Sequence, residues 1–196
     1  MNEADFIRKR DELERCLDRT NFWISNCDQK ASVVLGFLGV FIGLIFSSDN
    51  ILSSIKTVFQ NLWDSITDHS CPDIFALTIV SFLLLSFCEL CLCIRYLFDT
   101  IRAKIDPSVF KQDGLCTTSK VHYQSIITTG YKWYKQSREE RDFAEELNDY
   151  YSQIYINSQI CTDKFTNYNK AISTAVHFLV LFIATLLLLL FYSLKL

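Results

Sequence analysis

The chain has 196 residues, half of them hydrophobic, with five glycines, two prolines and a formal net charge of −3 at pH 7. It is too rich in leucine and phenylalanine to be a disordered chain. Its apolar residues are concentrated in three runs, at 31–46, 74–94 and 172–194, which excludes an ordinary soluble domain and predicts an all-α membrane protein with three transmembrane helices.

Residues 1–30 form the first element, a charged helix without glycine or proline. Phe6, Leu13, Leu17, Thr20, Ile24, Cys27, Ala31, Val34 and Leu38 recur in steps of three and four, with Arg10 completing the series. This heptad stripe passes into the first apolar run without a break. The first run spans if its limits are taken as 31–48 and its flanks snorkel, since a crossing needs about 20 residues. A cleaved signal peptide is a poor fit, because about 30 charge-rich residues precede the run and no small-x-small cleavage site follows it.

Residues 49–73 form a loop holding an amphipathic helix. Ile51, Leu52, Ile55, Val58, Phe59, Leu62, Trp63 and Ile66 share one face, and Lys56, Gln60, Asp64 and Ser65 point away. Such a helix lies in the membrane interface or covers the spans. The chain turns at Pro72–Asp73 into the second span, 74–94, which contains Cys88, Glu89, Cys91 and Cys93.

Region 95–171 reads as a short helix at 99–106, a loop at 107–119 and a further helix starting near Lys120. In the stretch 130–151, Lys132, Trp133, Lys135, Arg138 and Arg141 suggest nucleic-acid contact. Glu139, Glu140, Asp142, Glu145, Glu146 and Asp149 cancel that charge, and a phosphate-tracking surface is positive on balance. A solvated, salt-bridged helix face is expected instead, and no nucleic-acid partner. A second stripe (Leu147, Tyr151, Ile154, Ser158, Cys161, Phe165, Tyr168, Ile172, Ala175, Leu179) leads into the third span, 172–194. Both stripes predict long cytoplasmic helical extensions continuous with their spans.

Lysine and arginine counts set the orientation. Residues 1–30 carry six, 47–73 carry Lys56 alone, 95–171 carry eleven, and the tail carries Lys195. The N-terminus and 95–171 are therefore expected in the cytoplasm. Of the eight cysteines, Cys71 alone falls on the outer side, leaving no intrachain disulfide there. Cys88 and Cys91 have C-x-x-C spacing but lack further zinc ligands. They are expected as small apolar residues at a helix interface, with no metal bound.

A carboxylate at membrane depth is costly and normally faces protein or water. Glu89 lies six residues before Arg95, roughly 9 Å inside the cytoplasmic edge, and His177 lies seven after Lys170, roughly 10.5 Å inside. Equal depth permits a Glu89–His177 contact, within or between subunits. A ring of Glu89 around an oligomer axis would favour cations. There is no G-x-S-x-G, P-loop or H-E-x-x-H motif, so no catalytic residue is assigned and the chain is not read as an enzyme.

The segment NFWISNCDQKASVVLGFLGVFIGLIF, residues 21–46, places a D-x-K-A motif directly before the first span. It resembles the Pycsar transmembrane effectors of bacterial antiphage defence. The likeness continues at YQSIITTGYKWY (123–134), the acidic run at 139–149 and DYYSQIYINSQICTDKFTNYNKAISTA (149–175), covering roughly residues 20–195. The resemblance implies a multi-pass protein of the bacterial inner membrane that responds to cyclic CMP or cyclic UMP from a partner cyclase. It then impairs the membrane and arrests growth, an abortive-infection response. Asp28, Lys30, Ala31 and, more loosely, Lys164 match the family pattern. No phosphate-binding cassette like those of known cyclic-nucleotide domains appears in 95–171, so no nucleotide-binding residue is assigned.

At the membrane mouth, Lys30 is placed to snorkel to lipid phosphates. Asp28 is expected either to anchor there or to make a buried polar contact with the last helix, with Lys170 at similar depth and Lys164 further into the cytoplasm. The reading is a homo-oligomeric, cyclic-nucleotide-gated effector acting on the lipid bilayer, without a cofactor. The alternatives are a SLATT-like pore former with another trigger and a non-conducting scaffold or sensor.

Overall fold

The computed structural model describes residues 2–68, 73–102, 109, 111–116, 118–140 and 142–195. Six helices occur among them: α1 (Glu3–Phe46), α2 (Asp49–Thr67), α3 (Ile74–Ile101), α4 (Tyr123–Thr129), α5 (Tyr131–Glu139) and α6 (Phe143–Lys195). No strand is present among the described residues. Helices α1, α3 and α6 each contain a segment long and apolar enough to cross a membrane. Pro72, Cys71 and His69 fall outside the described residues, as do Pro107 and most of the expected helix at 99–106.

The unbroken stripes have their counterpart in unbroken helices. α1 is one helix of 44 residues and α6 one of 53, with nothing at residues 30 or 171 to stop either. α3 begins at an N-cap that the sequence spells out. The Phe75 N–H donates to Asp73 Oδ1 at 2.9 Å, and the Leu77 N–H donates to the Asp73 carbonyl at 3.0 Å. α3 also outruns the apolar segment, continuing to Ile101 rather than ending near residue 94. The helix expected near Lys120 is instead two short ones. Gly130 divides them at φ +80°, ψ 151°, a conformation that only glycine adopts without strain.

The chain forms two compact units, one of Met1–Gln29 with Arg102–Phe165 and one of Lys30–Ile101 with Thr166–Leu196. In the first, Phe6, Leu13 and Leu147 form an apolar cluster flanked by Tyr150 and Ile154. Phe6 stacks on Phe143 at 4.2 Å between ring centroids, and Asn157 Nδ2 donates to Asn21 Oδ1 at 2.8 Å. Much of the charged stretch is a solvated face, with Lys135–Glu139 at 3.9 Å and Arg138–Glu146 at 3.8 Å, but Asp149 is buried.

In the second unit Ala31, Leu38, Cys93, Leu97, Ala171, Phe178 and Phe182 form the larger core. Small residues let the backbones approach closely: the Cys93 S–H donates to the Ala171 carbonyl at 3.3 Å. Cys93 is the buried cysteine of this seam, while Cys88 and Cys91 are exposed. The expectation for that pair is corrected. Cys93 is in phase with the buried Ser86, Leu97 and Thr100, whereas Cys88 and Cys91 fall on the opposite face. A smaller cluster joins Val58 of α2 to Ala76, Ile79, Leu189 and Tyr192, and Asn61 Nδ2 donates to the Tyr192 hydroxyl at 2.9 Å. The single apolar face expected for α2 is therefore divided. Ile55, Val58 and Leu62 pack inward, while Leu52, Phe59, Trp63 and Ile66 are exposed.

The two long stripes fare differently. Every position expected in the first is buried or half-buried. In the second, Tyr151, Ser158 and Leu179 are exposed. The buried line of α6 runs instead through Asp149, Gln153, Ile156 and Lys164 in the first unit, and through Ala171, Phe178 and Phe182 in the second. Polar side chains occupy the buried line, so a search for apolar recurrence slips off it by about one residue.

Candidate functional site

Asp28 and Lys164 form the shortest ion pair among the described residues of the first unit. Lys164 Nζ donates to Asp28 Oδ1 at 2.6 Å, with the lysine side chain 7% exposed and the aspartate 36%. An ammonium so enclosed is tolerated because the carboxylate accompanies it. The partner is Lys164 itself, although its position along the chain required it to reach. Lys170 has a separate place in the second unit, its Nζ 5.8 Å from the centroid of the Tyr96 ring.

The other motif residues divide by environment. Lys30 is exposed and makes no ion pair among the described residues. Ala31 is fully buried in the core with Cys93 and Ala171, where a larger side chain has no room.

Glu89 and His177 approach one another in the second unit. His177 Nδ1 lies 4.0 Å from Glu89 Oε2, with side chains 62% and 28% exposed. That separation is too long for a hydrogen bond. Glu89 Oε2 is enclosed and has no hydrogen-bond partner among the described residues. The pair is close enough for electrostatic attraction if the imidazole is protonated, and it leaves the carboxyl oxygen with unused bonding capacity.

The first unit also contains a polar construction that apolar periodicity does not reveal. Residues 111–116 and 118–122 are fastened to α6 by three polar side chains. The Cys116 N–H donates to Ser152 Oγ at 2.9 Å and the Lys120 N–H to Asp149 Oδ2 at 2.8 Å. Asn148 Nδ2 donates to the Gly114 carbonyl at 3.2 Å. Lys120 Nζ adds a 2.8 Å contact to Glu145. Beside this clamp lies a cavity of about 300 Å³, walled by Ser119 and His122, by Gln124 and Ser125 of α4, and by Gln153 and Asn157 of α6. Asp149, Gln153 and Asn157 are four residues apart, so they share a helix face. That polar spacing was the available signal.

Two titrating groups of this unit are displaced. Burial raises the Tyr150 phenol above its ordinary 10.0, aided by Glu14 and Glu146 and opposed by Arg10 and Arg138. Burial likewise raises the Cys161 thiol, which keeps it protonated and unreactive. Among the described residues no group of three or more His, Cys, Asp or Glu is placed to hold a metal ion.

Comparison with known proteins accounts for nearly the whole chain. A family model described as the Pycsar effector protein domain matches residues 12–193. The Pycsar effector protein GmPycTM of Gulbenkiania mobilis is 35% identical over 175 residues, covering 89% of this chain and 89% of that protein. No solved structure matches significantly. The match takes in the D-x-K-A motif, Glu89, the polar face of α6 and all three apolar helices, and the chain belongs to the Pycsar transmembrane effector family.

Proposed function

We propose that this antiphage effector senses a cyclic pyrimidine mononucleotide, cyclic CMP or cyclic UMP, through its charged helical unit and then impairs the bacterial inner membrane. Growth stops before phage spread. The protein acts without catalysis, as a homo-oligomer with its N-terminus in the cytoplasm, and its ligand comes from a partner cyclase.

The observation that carries this reading is the enclosed Asp28–Lys164 pair on two helices that both continue into apolar segments. A ligand shifts an equilibrium only by binding one arrangement better than another. An ion pair with an enclosed lysine supplies a discrete contact whose making and breaking differ appreciably in free energy. Binding in the charged unit biases that contact, and the continuous helices α1 and α6 carry the change to their apolar segments. Glu89 and His177 then supply the polar groups of those segments, available to a second subunit or to ions.

The test is membrane potential in cells expressing the protein together with a cyclase that makes one cyclic pyrimidine nucleotide. The expected result is depolarisation with the active cyclase and none with an inactive one. Equal potentials in both, at equal expression of the effector in the membrane, would overturn the reading.

A further inference from the structure

The cavity of the first unit has a property that packing alone does not explain. Gln153 is 6% exposed, lies on its wall, and makes no side-chain hydrogen bond among the described residues. Its amide oxygen and nitrogen are not sealed off in the protein, so both are open to pair with what the cavity holds. At about 300 Å³ the cavity stands at the small end of small-molecule sites, roughly 300–1,000 Å³.

We infer that this cavity, between residues 118–122, α4 and α6, is the binding site for a single cyclic mononucleotide, with Gln153 pairing with the edge of its base. The inference rests on the sensing function proposed above and adds the place and the chemistry of recognition.

The wall chemistry selects the ligand class. Among the described residues lining the cavity none is Lys, Arg, Asp or Glu. A terminal phosphate carries about −1.5 to −2 charges and calls for a cation. A cyclic phosphodiester carries a single charge, which neutral donors accommodate at less cost. Those donors are present. Ser119 Oγ accepts the Val121 and His122 N–H groups at 3.1 and 3.0 Å, which leaves its O–H to donate, and the Ser125 hydroxyl lines the same wall.

The Gln153 amide offers one acceptor and an NH2 donor. That pair complements the ring-nitrogen acceptor and exocyclic amino donor of cytosine. With the amide turned over, it complements the N–H and carbonyl of uracil. Asn157 adjoins on the same face, but one of its two N–H donors is already engaged with Asn21, so Gln153, with no side-chain bond among the described residues, is the reader.

The clamp explains how such a site is kept open. The Asp149 and Ser152 side chains accept the Lys120 and Cys116 backbone N–H groups and so hold those two residues against α6. The wall is therefore fixed before ligand arrives, which limits the ordering cost of binding.

Equilibrium dialysis of radiolabelled cyclic CMP and cyclic UMP against the purified full-length protein in detergent tests the assignment. Three forms are compared: wild type, Gln153→Leu, and Thr128→Trp, which adds bulk from an exposed position at the cavity. The expected result is that wild type binds at least one of the two nucleotides. Both variants then bind at least about tenfold more weakly, as when a buried hydrogen bond to a ligand is lost, while helicity and melting temperature are kept. Wild-type binding with both variants unchanged would overturn the site and leave the sensing function standing. Folded wild-type protein that binds neither nucleotide would overturn both.

Discussion

Lys164 reaches Asp28 across 2.6 Å with its side chain almost wholly enclosed, while Asp28 keeps about a third of its surface open. The two ends of this pair are not equivalent. Removing the carboxylate takes the nearest counter-charge from a buried ammonium, whereas removing the lysine leaves a carboxylate that water still reaches.

Asp28→Ala is accordingly expected to lower stability by about 1–3 kcal/mol, and Lys164→Met by less, since methionine retains the buried stem volume. Thermal melting of the detergent-solubilised variants reads the difference. If the pair also couples ligand to membrane, both variants shift the activator dose response at equal expression. A dose response identical to wild type in both would confine the pair to holding α1 against α6 within its unit.

Glu89 carries an enclosed oxygen without a hydrogen-bond partner among the described residues, 4.0 Å from His177. If that oxygen serves a functional contact in the membrane, Glu89→Leu abolishes induced toxicity while expression and membrane insertion stay normal. Glu89→Gln, which keeps shape and hydrogen bonding, retains part of it. Full toxicity in the leucine variant would show that the carboxyl is merely tolerated.

Tyr150 gives a pH dependence with a definite sign. Its pKa is raised in the folded state, chiefly by burial. The unfolded chain therefore loses the phenolic proton first, and the folded state binds more protons in that window. The stability this contributes is complete below the ordinary value of 10.0 and falls as pH rises through the folded value. Melting temperature of wild type is expected to drop more steeply above pH 10 than that of Tyr150→Phe. Parallel profiles would contradict it.

Ala31 and Ala171 are fully buried in one core, next to the Cys93 thiol. Enlarging either to leucine is expected to cost about 1–3 kcal/mol through overpacking, whereas Val33→Leu on the exposed side of α1 costs little. Equal melting temperatures for Ala31→Leu and Val33→Leu would show that the seam has slack.

The same residues show what was legible in the sequence. Ala31 belongs to a stripe whose members are all apolar or small except Arg10, so periodicity located it and the span it enters. The three spans were legible for the same reason, since solvation in lipid demands long apolar runs. The second stripe misled because Asp149, Gln153 and Lys164 occupy buried positions of α6, and apolar recurrence has no way to count them. Lys164 was placed too far along the chain to favour as the partner of Asp28. Axial depth from residue number ignores the reach of a lysine side chain. The cavity was illegible because its wall is made by segments far apart in sequence and by a loop without periodicity. The break at Gly130 was available in principle, but one glycine in a charged stretch does not reveal its φ.

The most direct test of the central claim is dye leakage from liposomes containing the purified protein, with cyclic CMP, cyclic UMP, cyclic AMP and cyclic GMP added separately. Leakage is expected with a cyclic pyrimidine nucleotide, and silence with both purine nucleotides. Silence with all four from demonstrably folded protein, or equal leakage with all four, would contradict it.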